Sequence, residues 1–163
     1  MASPMWILGE CVAGIAVASW AIRNSKPLRK KGRLFVKAKS ADKVAPADSN
    51  SLLGGEAVSS DPYLLVRCGI AEARTRTVEK DLNPKWDETM EIELDEAKGD
   101  VSVVTLELKD ANTFKSDVSL GHMKLDLFSF TEMPRSFDAL LKDGRGATLH
   151  VDVWFVPDAE TPF

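Results

Sequence analysis

From Arg33 onward, apolar and polar residues alternate with a period of two, the mark of half-buried strands. "LFVKAK" turns Leu34, Val36 and Ala38 to one side and Phe35, Lys37 and Lys39 to the other. "ETMEIEL" sets Met90, Ile92 and Leu94 against Glu91 and Glu93, and "VTLELKD" buries Val104, Leu106 and Leu108. "HMKLDLF" does the same with Met123, Leu125 and Leu127, and "TLHVDVWF" with Leu149, Val151, Val153 and Phe155. Together with "YLLVRCGI" and "RTRTVEK", these runs predict an all-β domain, an antiparallel sandwich of two sheets. One short helix is expected in "PRSFDALLK", where Pro134 suits a first turn and Gly144 lies just beyond the end. The connection over residues 39–60 is rich in Ser, Ala, Gly and Asp. Connections of that length are usually functional or disordered.

Ahead of Arg33 the pattern is different. Met5 to Ile22 is mostly apolar on all faces, unlike the single stripe of a core helix. As a helix it would span about 27 Å, enough to cross a hydrocarbon core. Trp6 and Trp20 sit near its two ends, and the basic cluster "RNSKPLRKKGR" follows. Indole rings favour membrane interfaces, and a basic flank favours the inner side. "MASP" supplies no basic leader for a cleavable signal, although "AVA" at Ala16 to Ala18 imitates a cleavage site. The expected organisation is a transmembrane anchor over residues 1–24, a basic juxtamembrane linker over 25–32, a folded domain over 33–157 and a C-terminal tail over 158–163. The domain is expected on the cytoplasmic or matrix-like side of a single-pass protein, in either an endomembrane or the mitochondrial inner membrane. Within the anchor, Glu10 is costly in hydrocarbon unless protonated, paired or close enough to the headgroups to snorkel. Gly14 and Ala18, four residues apart, would let a second helix approach closely. Glu10, Gly14 and Ala18 are therefore candidate contacts to another membrane-protein subunit.

Charge sharpens this division. The 163 residues carry a formal charge of −4, but the chain through Arg33 holds six basic residues against Glu10, a local +5 that leaves −9 for the remainder. An acidic domain behind a basic collar argues against nucleic acid as a partner. Cys11 and Cys68 build neither a disulfide framework nor a zinc spacing, and Cys68 reads as a small core residue. His122 and His150 fall on outward strand phases, as solvated histidines with no partner at a motif spacing. The Gly-rich "LLGGEA" lacks the Lys-Ser/Thr of a phosphate loop. Neither an enzyme nor a small-molecule substrate is expected.

The order "GRLFVKAKSAD", "SDPYLLV", "RTVEKDLNPKWDETMEIEL", "VTLELKDANTFKSDVSLGHMKLDL" and "ATLHVDVWFVP" resembles a C2 domain from first strand to last, over about Lys31 to Pro157. The most specific part is the pairing of "SDPY" with "LNPKWDE", followed by Asp110 and the later "LG". The resemblance implies an eight-stranded sandwich of the circularly permuted, type II-like variety. Pro84 fits a chain reversal in "LNPKWDE", after which Trp86 supplies a large buried ring.

C2 domains that bind calcium hold it with about five aspartates in loops at one end of the sandwich, where each ion needs six to eight oxygens. By resemblance, Asp61 fits the first-loop position and Asp110 the first position of the third loop. Asn112, a neutral oxygen donor, stands where a second third-loop aspartate is expected. The last acidic position falls at Val118, with Asp117 one residue early. The other first-loop aspartate falls near Gly55 or Glu56, with Asp48 a more distant candidate. Asp61, Asp110, Asn112 and Asp117 are thus candidate ligands of a degenerate calcium site. The alternative for Asp61 is to accept backbone N–H groups in the turn before Tyr63. Cations at Lys30 and Lys31, and at Arg74, Arg76 and Lys80 alternating on one strand, are candidates for contact with anionic phospholipid, each worth about 1 kcal/mol near such a surface. The expected function is a calcium-independent interaction or scaffolding module without a cofactor, an accessory subunit of a larger membrane complex. The alternative is a calcium-dependent phospholipid sensor or membrane tether.

Overall fold

Strand alternation translates into eight long or medium strands and one small ribbon. In the computed structural model, the described residues are 31–49 and 57–158. The anchor, Glu10, Gly14, Ala18, Lys30 and residues 159–163 of the tail lie outside them. Among the described residues, no helix is long and apolar enough to cross a membrane.

The strands are β1 (Lys31–Asp42), β2 (Asp48–Ser49), β3 (Ala57–Ser59), β4 (Pro62–Cys68), β5 (Ala71–Arg74), β6 (Lys85–Asp95), β7 (Val103–Asp110), β8 (Val118–Asp126), β9 (Arg135–Leu140) and β10 (Thr148–Pro157). One sheet has the order β6-β1-β10-β9 and the other β5-β4-β7-β8, while β2 and β3 pair only with each other. All pairings are antiparallel. Part of the long 39–60 connection is therefore strand: β1 runs on to Asp42, and β3 pairs back on β2.

The inward phases are those of the sequence pattern. Leu34, Val36 and Ala38 meet Leu64, Val66, Leu106 and Leu108 across the sandwich, with Ile92, Leu149, Val151 and Val153 in the same buried cluster. Trp86 is buried, as is Cys68, whose thiol donates to Val101 O at 3.4 Å. Burial pushes that thiol up to about 11, so it stays protonated in ordinary buffers. Met123 and Leu125 are only half-buried, and Leu127 enters the core from a 3-10 turn rather than from β8.

The predicted helix in "PRSFDALLK" is instead β9, an edge strand paired with β10 from Arg135↔Val153 to Leu140↔Thr148. Phe137 and Ala139 alternate with Ser136 and Asp138, and the Phe137 ring packs edge-on against Phe130 at 5.9 Å. Completing an open sheet edge outweighs the weak helical preference of a six-residue stretch. Pro134, just before the strand, costs no ladder bond.

Strand directions give the sandwich two poles. Asp42, Pro62, Asp110, Val118 and Thr148 lie at the loop pole; Lys31, Cys68, Asp95, Val103, Asp126 and Pro157 lie at the opposite pole, where the chain enters. At the usual strand rise, β1 separates the poles by about 36 Å.

Candidate functional site

Register brings the residues singled out as ligands to one pole. Pro62 pairs with Asp110, and β7 pairs with β8 up to Asp110↔Val118, so Asp61, Asn112 and Asp117 flank that rung. Their side chains and backbone N–H groups join in a chain of hydrogen bonds. The Asp61 N–H donates to Asp110 Oδ1 at 2.6 Å, and Asn112 Nδ2 donates to Asp110 Oδ2 at 3.3 Å. The Asn112 N–H donates to Asp117 Oδ1 at 3.0 Å, and the Tyr63 hydroxyl donates to Asp117 Oδ2 at 2.7 Å. Asp61 Oδ1 accepts the Lys80 N–H at 2.7 Å. The backbone-acceptor role expected of Asp61 is thus present, but its donor comes from the β5–β6 connection rather than from the turn before Tyr63.

The electrostatics follow from these contacts. Burial, reinforced by the bond to Asp117, pushes the Tyr63 hydroxyl up to about 12. The same hydroxyl, with the Asn112 N–H, holds Asp117 below the usual carboxylate range. Arg74 lies over the Tyr63 ring, 4.4 Å from its centroid. Asp110 is buried. Asp117 is thus stabilised as an anion by fixed donors, which is the work a cation would otherwise do.

Calcium fits this set poorly. Among the described residues, no group of three or more His, Cys, Asp or Glu is placed to hold a metal ion. The carboxylate oxygens of Asp110 and Asp117 already accept protein donors, whereas calcium takes six to eight oxygens free to turn toward it. Gly55 and Glu56 lie outside the described residues, as does the side chain of Asp48.

The cationic candidates do not form one patch. Arg74 ends β5, whereas Arg76 and Lys80 lie in the connection beyond it, Lys80 with a left-handed φ of 53°. The predicted run of alternating cations on one strand breaks because "RTRTVEK" leaves the sheet after Arg74. Arg76 donates to Trp86 O at 2.8 Å and Lys85 O at 3.0 Å, so it staples this connection to β6. Lys31 lies at the other pole and pairs with Asp158 at 3.5 Å.

Two features of the loop pole had no sequence motif. Phe114, at the tip of the β7–β8 loop beside exposed Lys115, is 98% exposed. His150 is not simply solvated: its Nδ1 lies 2.6 Å from Asp138 Oδ1 on β9, and its Nε2 lies 2.9 Å from Asp42 Oδ2 on β1. Asp138 first, then Asp42, raises the imidazole above its ordinary 6.5. Only the imidazolium donates to both carboxylates. A raised folded-state value means that this stabilisation is complete below 6.5 and disappears as pH rises through the raised value. His150→Gln should therefore flatten the fall in melting temperature of the protein between mildly acidic and mildly alkaline pH. An unchanged slope in the variant would remove His150 as its source. His122 has a longer contact, 3.9 Å to Asp143.

Comparison with known proteins agrees with this architecture. The C2 domain family matches residues 32–154. Protein C2-DOMAIN ABA-RELATED 11 of Arabidopsis thaliana is 39% identical over 69 residues, 42% of this chain and 40% of that protein. Protein C2-DOMAIN ABA-RELATED 8 of the same plant is 30% identical over 102 residues, 63% of this chain and 55% of that protein. The chain thus spans about half the length of these curated relatives. Among solved structures, the calcium-bound C2A and C2B domains of Extended-Synaptotagmin 2 superpose with a TM-score of 0.65 at 27% identity, covering 78% of this chain and 46% of that one. A match running from β1 into β10, on a two-sheet antiparallel sandwich with its loop residues gathered at one pole, places this chain in the C2 domain family.

Proposed function

We propose that the protein is a membrane-anchored C2 domain that works as a calcium-independent interaction or scaffolding module, an accessory subunit of a larger membrane complex. One observation carries the calcium-independent part. The residues at the family's ligand positions bond to one another, to Tyr63 and to backbone N–H groups, so the loop pole is ordered by the chain's own donors. The anchor rests on the apolar run and its basic collar. The subunit role rests on Glu10, Gly14 and Ala18 as a face for another membrane helix. No catalysis and no small-molecule substrate enter this reading.

A second reading, a calcium-dependent phospholipid sensor or tether, draws on the likeness to a fragment of Extended-Synaptotagmin 2 solved with calcium bound. The Phe114–Lys115 tip, apolar beside cationic, also suits a bilayer surface. Calcium titration separates the two readings. A ligand that binds only the folded state at a hundred times its dissociation constant adds about 2.7 kcal/mol. Millimolar calcium is expected to leave the melting temperature of the protein unmoved, and its retention on anionic vesicles unchanged. A rise in melting temperature that disappears in Asp61→Asn would establish the sensor instead.

A further inference from the structure

The entry pole carries an apolar rim that the loop-pole chemistry does not use. Ile70, in the β4–β5 turn, is 79% exposed, and Met133, just before β9, is 75% exposed. Val103 and Phe128 are each about half exposed. Register places three of them along the same end of the second sheet. Cys68 pairs with Val104, which brings the Gly69–Ile70 turn beside Val103, and Val103 pairs with Asp126, two residues before Phe128. With neighbouring strands about 4.8 Å apart, Ile70, Val103 and Phe128 follow one another from the β4–β5 turn to just past β8 at that end of the second sheet. Met133 lies toward the same end on the other sheet, between Thr131, whose carbonyl accepts the Phe155 N–H, and the Arg135↔Val153 rung.

Chain length decides what can cover it. Lys31 begins β1 at this same pole. It lies seven positions after residue 24, where the proposed anchor ends, and a chain of that length reaches about 24 Å at most. The loop pole lies a further 36 Å or so away along β1, so inverting the domain would not bring Phe114 to the bilayer that holds the anchor. The entry pole is the end that meets it.

We propose that this rim, formed by Ile70, Val103, Phe128 and Met133, rests in the headgroup interface of the bilayer that holds the chain's own N-terminal segment. The contact is apolar rather than electrostatic. Asp100 and Asp126 flank the rim, with carboxylates already accepting the N–H groups of Ser102 and Phe128 at 2.8 Å, and Asp95 accepts that of Ala97 at 2.9 Å. Such a rim suits a zwitterionic surface, while the basic collar meets whatever anionic lipid is present. Docking at this pole leaves the loop pole facing away from the host membrane.

The inference rests on the anchored reading, and the test separates the two. Full-length protein carrying Cys11→Ser is reconstituted in phosphatidylcholine vesicles and labelled with an environment-sensitive fluorophore at Ile70→Cys, Met133→Cys or Phe114→Cys. In vesicles containing a lipid-borne quencher, the labels at positions 70 and 133 should lose most of their emission and shift to the blue without quencher. The label at position 114 should do neither. Protein that stays in the membrane pellet after alkaline carbonate, with no quenching at positions 70 and 133, would overturn the docking and leave the anchor standing. Release of the protein into the carbonate wash would overturn both.

Discussion

Asp110→Asn should lower the stability of the domain, and Asp110→Ala should lower it by about 2–3 kcal/mol, because a buried acceptor of charge-assisted bonds is lost and its donors are left behind. The alanine variant leaves the Asp61 N–H and the Asn112 amide without the carboxylate that orients them. The sign is the informative part. In a loop built to hold calcium, aspartates repel one another without the ion, and neutralising one relieves that repulsion and stabilises the ion-free domain. Here Asp110 faces donors, so neutralising it should destabilise. Urea denaturation of both variants in chelator-containing buffer measures this directly. A gain in stability for Asp110→Asn would show that carboxylate repulsion dominates the pole, against the calcium-independent reading.

Removing the ring of Trp86 should cost more, about 3–5 kcal/mol for Trp86→Ala, as large-to-small replacements in packed cores do. Trp86→Phe should cost far less. Among the described residues, the buried indole Nε1 has no hydrogen-bond partner, so phenylalanine gives up some packing volume while removing a donor that folding strands. Denaturation midpoints would show a wide gap between the two variants. Equal losses would mean that the indole group itself, rather than ring burial, matters at this position.

The sandwich was legible because β1, β6, β7 and β10 each expose one face, so alternation along them marks inward residues without knowledge of their neighbours. Legibility failed where partners across space made the decision. β9 is a strand because β10 offers an open edge and Phe130 offers a ring, and neither is visible within "PRSFDALLK". "RTRTVEK" alternates well beyond Arg74, yet its later residues serve as a staple to β6. At the loop pole, the positions of Asp61, Asp110, Asn112 and Asp117 could be assigned by resemblance, but their donors could not. Tyr63 and Asp117 are 54 residues apart and Asp42 and His150 are 108 apart, and only sheet register brings each pair together.

Sheet order also dictates when the domain can close during synthesis. β1 is the first of the described strands to leave the ribosome, yet it lies between β6 and β10, and β10 is the last of them. Until Pro157 has been made, one side of β1 offers unpaired backbone groups along a strand whose inward residues include Leu34, Val36 and Ala38. Such an edge is a template for pairing with other chains. The nascent domain therefore passes through a stage in which this sheet is open, and a chain interrupted before Thr148 would remain there. Protection of that edge until release is a demand that this topology places on the cell, whatever surface the finished domain goes on to meet.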